Sequence, residues 1–190
     1  MEIFDISYEL LEDLPELPPN ISQLDCSHNK IKSSFNISHL LTLQSLDFSH
    51  NLLTQIQGWS FLSNLSILNL SNNHLSSIQG LSQCYKLTSI TLQFNKLRSL
   101  TGLESLKSLQ YLNISHNMIS DKMHLRTLSL NNKLEVLYLE GNVVKNYRQF
   151  CYSVILSLTM LDGTPTPGFT RKGSVKDSYK LKKVSEKYNC

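Results

Sequence analysis

The sequence predicts an α/β fold: a right-handed solenoid whose short strands stack into one parallel, concave sheet, with tight 3₁₀ or helical returns on the convex side. Two observations carry this reading. Asn29, Asn51, Asn73, Asn95, Asn117 and Asn142 form a ladder, with steps of 22 residues between the first five and 25 before the last. Each stands in one apolar frame; around Asn73, Leu65, Leu68 and Leu70 precede and Leu75 follows. A fixed period in this range marks stacked repeats, each too small to bury its own apolar face.

The whole-chain numbers agree. Charged residues make up 17% of 190 and hydrophobic ones 41%, a globular composition. A net charge of +3 is too small to imply nucleic acid by itself. No apolar run reaches the ~18 residues of a membrane span, so no transmembrane segment is expected. The opening Met1-Glu-Ile-Phe-Asp lacks the basic and apolar regions of a signal peptide. Cys26 and Cys84 fill apolar slots, Cys151 falls in the terminal cap and Cys190 ends the sequence. They read as free thiols of a reducing, cytoplasmic setting. Five Asn-x-Ser sequons, at Asn20, Asn36, Asn64, Asn69 and Asn113, read as chance in a chain rich in Ser and Asn, since most fall within or beside strands.

Residues 1–20 form a degenerate N-terminal capping repeat. Met1, Phe4, Ile6, Leu11 and Leu14 take the apolar slots, Glu9 replaces the asparagine, and Leu14-Pro-Glu-Leu-Pro-Pro stops the unit. Residues 21–142 hold the repeats. Strands are expected at 21–27, 43–49, 65–71, 87–93, 109–115 and 134–140. After each asparagine the apolar spacing widens to three, as in Leu97, Leu100, Leu103 and Leu106, which suits a 3₁₀ return. Gly58, Gly80 and Gly102 recur in register before the return, and Trp59 takes the slot of Leu81 and Leu103 as a core filler at a partly open edge. The fifth unit is longer, and 120–133 reads as a true helical turn or two. Residues 143–167 read as a C-terminal cap with an amphipathic helix over 147–158. Residues 168–190 form a basic tail, flexible or part-helical, with seven Lys/Arg against Asp177 and Glu186.

An asparagine suits the ladder because its amide has two donors and one acceptor oxygen. It can satisfy backbone groups where the chain leaves the sheet, and share them with the neighbouring unit.

The frame Leu43-x-x-Leu46-x-Phe48-x-x-Asn51-x-Leu53-x-x-Ile56-x-Gly58-x-x-Phe61-Leu62 resembles the leucine-rich-repeat family, and within it the intracellular 22-residue subfamily named for a protein-phosphatase-1 regulatory subunit. The stretch Glu140-Gly-Asn-Val-Val-Lys-Asn-Tyr-Arg-Gln-Phe, with Leu158-Thr-Met-Leu-Asp-Gly-Thr-Pro, resembles that subfamily's C-terminal cap. Val143 or Val144 stands near the place where the cap usually has proline. The resemblance implies a leucine-rich-repeat solenoid and a non-catalytic interaction scaffold. Relatives of this kind include an axonemal dynein light chain, centrosomal and ciliary proteins and a spliceosomal subunit. A cytoskeletal setting is therefore expected, with a ribonucleoprotein subunit or a phosphatase regulatory subunit as alternatives.

Strand alternation leaves three outward columns. One reads Gln23, Ser45, Ile67, Ser89, Tyr111, Val136; the next Asp25, Asp47, Asn69, Thr91, Asn113, Tyr138; the third Ser27, Ser49, Ser71, Gln93, Ser115, Glu140. The N-terminal end is small and acidic, and the C-terminal end is aromatic. Ile67, Phe94, Tyr111, Asn113, Val136, Tyr138 and Glu140 are the expected binding patch for a helix or loop of another protein, because exposed aromatics on a concave surface make a hot spot. His28, His50 and His116 share one slot after the strand, and a metal between His28 and His50 can be imagined, but two imidazoles without a third ligand are a weak site. No catalytic constellation or phosphate loop stands in a workable context. The expectation is no enzyme, no cofactor, no metal and no small-molecule substrate. The tail's lysines fit an acidic partner such as nucleic acid, tubulin or anionic lipid, and Ser174 after Arg171-Lys-Gly fits a basophilic kinase.

Overall fold

The structure, a computed structural model, describes residues 2–167. Nine strands lie in one sheet in chain order: β1 Glu2–Asp5, β2 Ile21–Asp25, β3 Ser45–Asp47, β4 Ile67–Asn69, β5 Ser89–Thr91, β6 Tyr111–Asn113, β7 Val136–Tyr138, β8 Met160–Leu161 and β9 Thr164–Pro165. Neighbours are parallel from β1 to β8, and only β8 and β9 pair antiparallel. The register follows the sequence period: Gln23 meets Ser45, Ser45 meets Ile67, Ile67 meets Ser89 and Ser89 meets Tyr111. A parallel ladder needs a crossover between strands, and each 22-residue unit supplies one.

The seven-residue runs read as strands contain only three to five residues of ladder pairing. The backbone explains the shortening. The residue just before each ladder asparagine is left-handed: His28, His50, Asn72, Phe94 and His116 have φ between 53° and 55°. A left-handed residue breaks the extended conformation and swings the chain off the sheet. At the sixth unit the slot holds Gly141, φ 73°, which carries no strain.

On the return side, 3₁₀ turns span Phe35–Ile37 and Gln79–Leu81. Helix α1, Lys122–Arg126, opens on Asp121, whose side chain accepts from Met123 N, and runs into a 3₁₀ turn at Thr127–Leu130. Helix α2 covers Arg148–Val154, shorter than expected, because Ile155 leaves the helical region at φ −112°, ψ 82°. The chain then re-enters the sheet as β8 and folds back as β9, an ending the sequence did not announce.

One apolar core runs the length of the stack, from Leu14 and Leu17 to Leu158 and Leu161. Trp59 is no edge filler: it is 1% exposed, and its Nε1 donates to Ser34 Oγ at 3.0 Å. Cys26, Cys84 and Cys151 are buried and free. Among the described residues, no helix is long and apolar enough to cross a membrane. Cys190, Ser174 and the basic tail over 168–190 lie outside the described residues.

Candidate partner-binding face

Alternation builds the outward face. Leu112, fully buried, points into the core between Tyr111 and Asn113, so those two take the opposite side of β6. The register then lines Tyr111 beside Val136, and Asn113 beside Tyr138. The register sets Tyr111, Val136, Asn113 and Tyr138 side by side, but their accessibility differs from expectation. Tyr111 is 9% exposed, Val136 3% and Asn113 9%, so these three are buried rather than exposed. The tilted ring of Tyr138 lies 5.9 Å from that of Tyr111, centroid to centroid, and Asn113 Nδ2 donates to Gln93 Oε1 at 2.9 Å. Rungs ~4.8 Å apart are narrower than a phenol ring, so large residues in adjacent rungs cover one another. Ile67 and Tyr138 are half-buried, Phe94 is 48% exposed and Glu140 is exposed. Burial raises the Tyr111 phenol to about 12 and also raises Tyr138, which in addition faces Glu140 and Asp162.

Beside this face run the ladder asparagines, each joining two units. Asn73 Oδ1 accepts from Leu53 N at 2.9 Å, while its Nδ2 donates to Phe48 O, Leu70 O and Ser71 O at 2.8, 3.2 and 3.1 Å. Asn29, Asn51, Asn95 and Asn117 repeat this set, and Asn142 reaches Ile119 N, Ile114 O and Leu139 O. The last rung has Asp162 instead. Its Oδ1 accepts from Leu139 N and Glu140 N, and its Oδ2 from Tyr147 Oη at 2.7 Å and from Arg148 at 3.1 Å.

The left-handed slot makes a second column that the sequence reading caught only in part. Tyr8 stacks on His28 with centroids 4.2 Å apart, His28 on His50 at 4.1 Å, and Phe94 on His116 at 4.4 Å, all within 10° of parallel. The side-chain amide of Asn72 sits 3.2 Å from His50 Nε2. His116 ends the column over Gly141, where an added Cβ would lie 2.4 Å from His116 Nδ1. His28 and His50 therefore form a face-to-face stack. No group of three or more His, Cys, Asp or Glu among the described residues could hold a metal. The signal for Tyr8 and Asn72 was in the sequence: both occupy the position before the turn, as the histidines do.

The family model described as leucine-rich repeat matches residues 7–149. The chain belongs to the leucine-rich-repeat family. Solved structures agree on the fold of this leucine-rich-repeat protein. Internalin C2 of Listeria monocytogenes is 26% identical, with a TM-score of 0.68 over 74% of this chain and 60% of its own. The functional domain of InlJ of Listeria monocytogenes, which includes a cysteine ladder, is 24% identical, with a TM-score of 0.61 over 75% of this chain and 30% of its own. A leucine-rich-repeat protein of Leptospira interrogans is 20% identical, with a TM-score of 0.61 over 73% of this chain and 36% of its own. The chain thus spans between three tenths and three fifths of the length of these structures. No curated protein matches it.

Proposed function

We propose that this leucine-rich-repeat protein is a non-catalytic interaction scaffold that grips another protein on the concave face of its sheet. One observation carries the reading: aromatic rings stand at the C-terminal end of the three small, polar outward columns. Phe94 is 48% exposed and stacked on His116, and half-buried Tyr138 packs against Tyr111. Rings already held by neighbours lose little freedom on binding, which is what a hot spot requires. Tyr111, Val136 and Asn113 form the floor of this patch, Phe94, Tyr138 and Glu140 its accessible rim, and Ile67 its far edge.

The 22-residue register and the cap at 143–167 support membership of the intracellular, phosphatase-regulator-like subfamily. That resemblance in turn supports a cytoskeletal setting, at a centrosome, cilium or axoneme, with an acidic partner for the tail.

The test compares proteins retained by the wild-type chain with those retained by Phe94→Ala and Tyr138→Ala, identified by mass spectrometry, and then measures Kd for a protein that only the wild type retains. Each substitution should weaken binding by ~2 kcal/mol or more, with the thermal midpoint kept within a few degrees. Wild-type affinity in both variants would place the contact elsewhere.

A further inference from the structure

The two ends of the stack are finished differently. At the C-terminal end, β9 turns antiparallel on β8, Pro165 sits in that last strand, and Asp162 takes up the backbone N–H groups of Leu139 and Glu140. Proline and a reversed strand are ordinary ways to blunt a sheet edge. At the N-terminal end, among the described residues, β1 pairs only with β2. The amides of Ile6 and Tyr8 donate to Asp25 O and Ser27 O, so by alternation those of Ile3 and Asp5 face away from the sheet. This end is also apolar. Ile3, Tyr8 and Leu10 are 66%, 68% and 70% exposed, and Phe4, Ile6 and Leu11 are only partly covered. Its charge is one-sided: residues 1–20 contain six Asp or Glu and no Lys or Arg.

The only comparable charge of opposite sign in the sequence is at the far end. Residues 168–190 carry seven Lys or Arg against two acids, with Tyr179, Leu181, Val184 and Tyr188 among them. We propose that the open N-terminal layer is the docking site of the chain's own basic tail. Apolar side chains of 179–188 would lie over Phe4, Ile6 and Leu11, with lysines against Glu2, Asp5 and Glu9. Length permits it within one molecule. Seven rungs from β8 to β1 span ~34 Å at ~4.8 Å each, and the eleven residues 168–178 that would connect the two reach ~36 Å when extended. A second copy meeting β1 head to head is disfavoured, because it would bring two such acidic ends together.

Hydrogen exchange on the 190-residue chain tests this. At low salt the amides of Ile3 and Asp5 should exchange about tenfold more slowly in the wild type than in the triple variant Lys180→Glu, Lys182→Glu, Lys183→Glu. Raising salt to about 0.5 M should abolish the difference, since contacts on an exposed layer are screened. Equal exchange in both chains overturns the proposal, as does tail-dependent protection that maps to β5–β7 instead. Protection that grows with protein concentration, with a dimer in sedimentation, overturns docking within one molecule.

Discussion

At the residue scale, the ladder asparagine is the unit of cohesion. Asn73 satisfies four backbone groups at once, three carbonyls and one amide, drawn from its own turn and the preceding unit. Leucine fits the volume but leaves Leu53 N without a partner, whereas Phe48 O, Leu70 O and Ser71 O keep Asn51, Asn95 and His50 N as donors; a buried group left unpaired costs ~1–3 kcal/mol. Asn73→Leu should therefore lower stability by ~1–3 kcal/mol, or roughly 2–12 °C in thermal midpoint for a domain of this size; an unchanged melting curve would contradict the role. Tyr111 makes a second residue-scale prediction. Its phenol is raised from 10.0 to about 12 in the folded chain. The unfolded state then loses its proton first, so stability should fall as pH rises from about 10 and level off near 12. In Tyr111→Phe this alkaline loss should shrink by roughly 2 kcal/mol, read from urea unfolding at pH 9 and pH 12. The sequence placed Tyr111 in the outward column correctly. It could not show that Tyr138 in the next rung would cover the ring, because cover depends on a neighbour's tilt.

At the element scale, the strand is short because its terminus is committed elsewhere. Tyr8, His28, His50, Phe94 and His116 accept a left-handed backbone, a conformation that costs a non-glycine residue ~1–2 kcal/mol. The stacked rings, worth ~0.5–1.5 kcal/mol per pair, and the asparagine bonds offset it. The C-terminal end of the stack rests on one carboxylate. The Asp162 side chain is 1% exposed and holds four partners, Leu139 and Glu140 just after β7 and Tyr147 and Arg148 at the start of α2. Asp162→Ala should expose the last rung. Amides of Leu139, Glu140 and α2 should lose most of their exchange protection, while those of β3 and β4 keep theirs. Uniform loss across the sheet would mean that the cap is not a separate opening unit. A helix near 147–158 was legible from its apolar spacing. Strand β8 was not, because two residues, Met160 and Leu161, carry no periodicity.

At the scale of the whole molecule, the stack is a one-dimensional array in which each unit touches its neighbours. Residues 22 apart are interchangeable in register from β2 to β6. Deleting residues 65–86 should therefore leave a shorter stack in which β3 pairs directly with β5 and Phe94 stacks on His50. It should unfold cooperatively with a lower midpoint and a smaller m-value, because less surface is exposed. Deleting 65–80, which breaks the period, should leave the chain unable to form the sheet. Loss of cooperative unfolding in the 22-residue deletion would show that the units are not equivalent. The same logic explains the unequal ends. An interior unit is covered on both sides, whereas among the described residues β1 has a strand on one side and the stack ends at the other side on the reversed strand β9.

The sequence alone determined the family, the period, the parallel order and which residues face the core, because all four follow from a hydrophobic pattern repeated until no other packing satisfies it. Tertiary structure decided how much of each outward residue remains in contact with water, which rings stack, and how the stack stops. These depend on distances between side chains more than twenty residues apart. A periodic sequence says that such neighbours meet, but only the backbone angle at each turn says face to face, edge to face, or not at all.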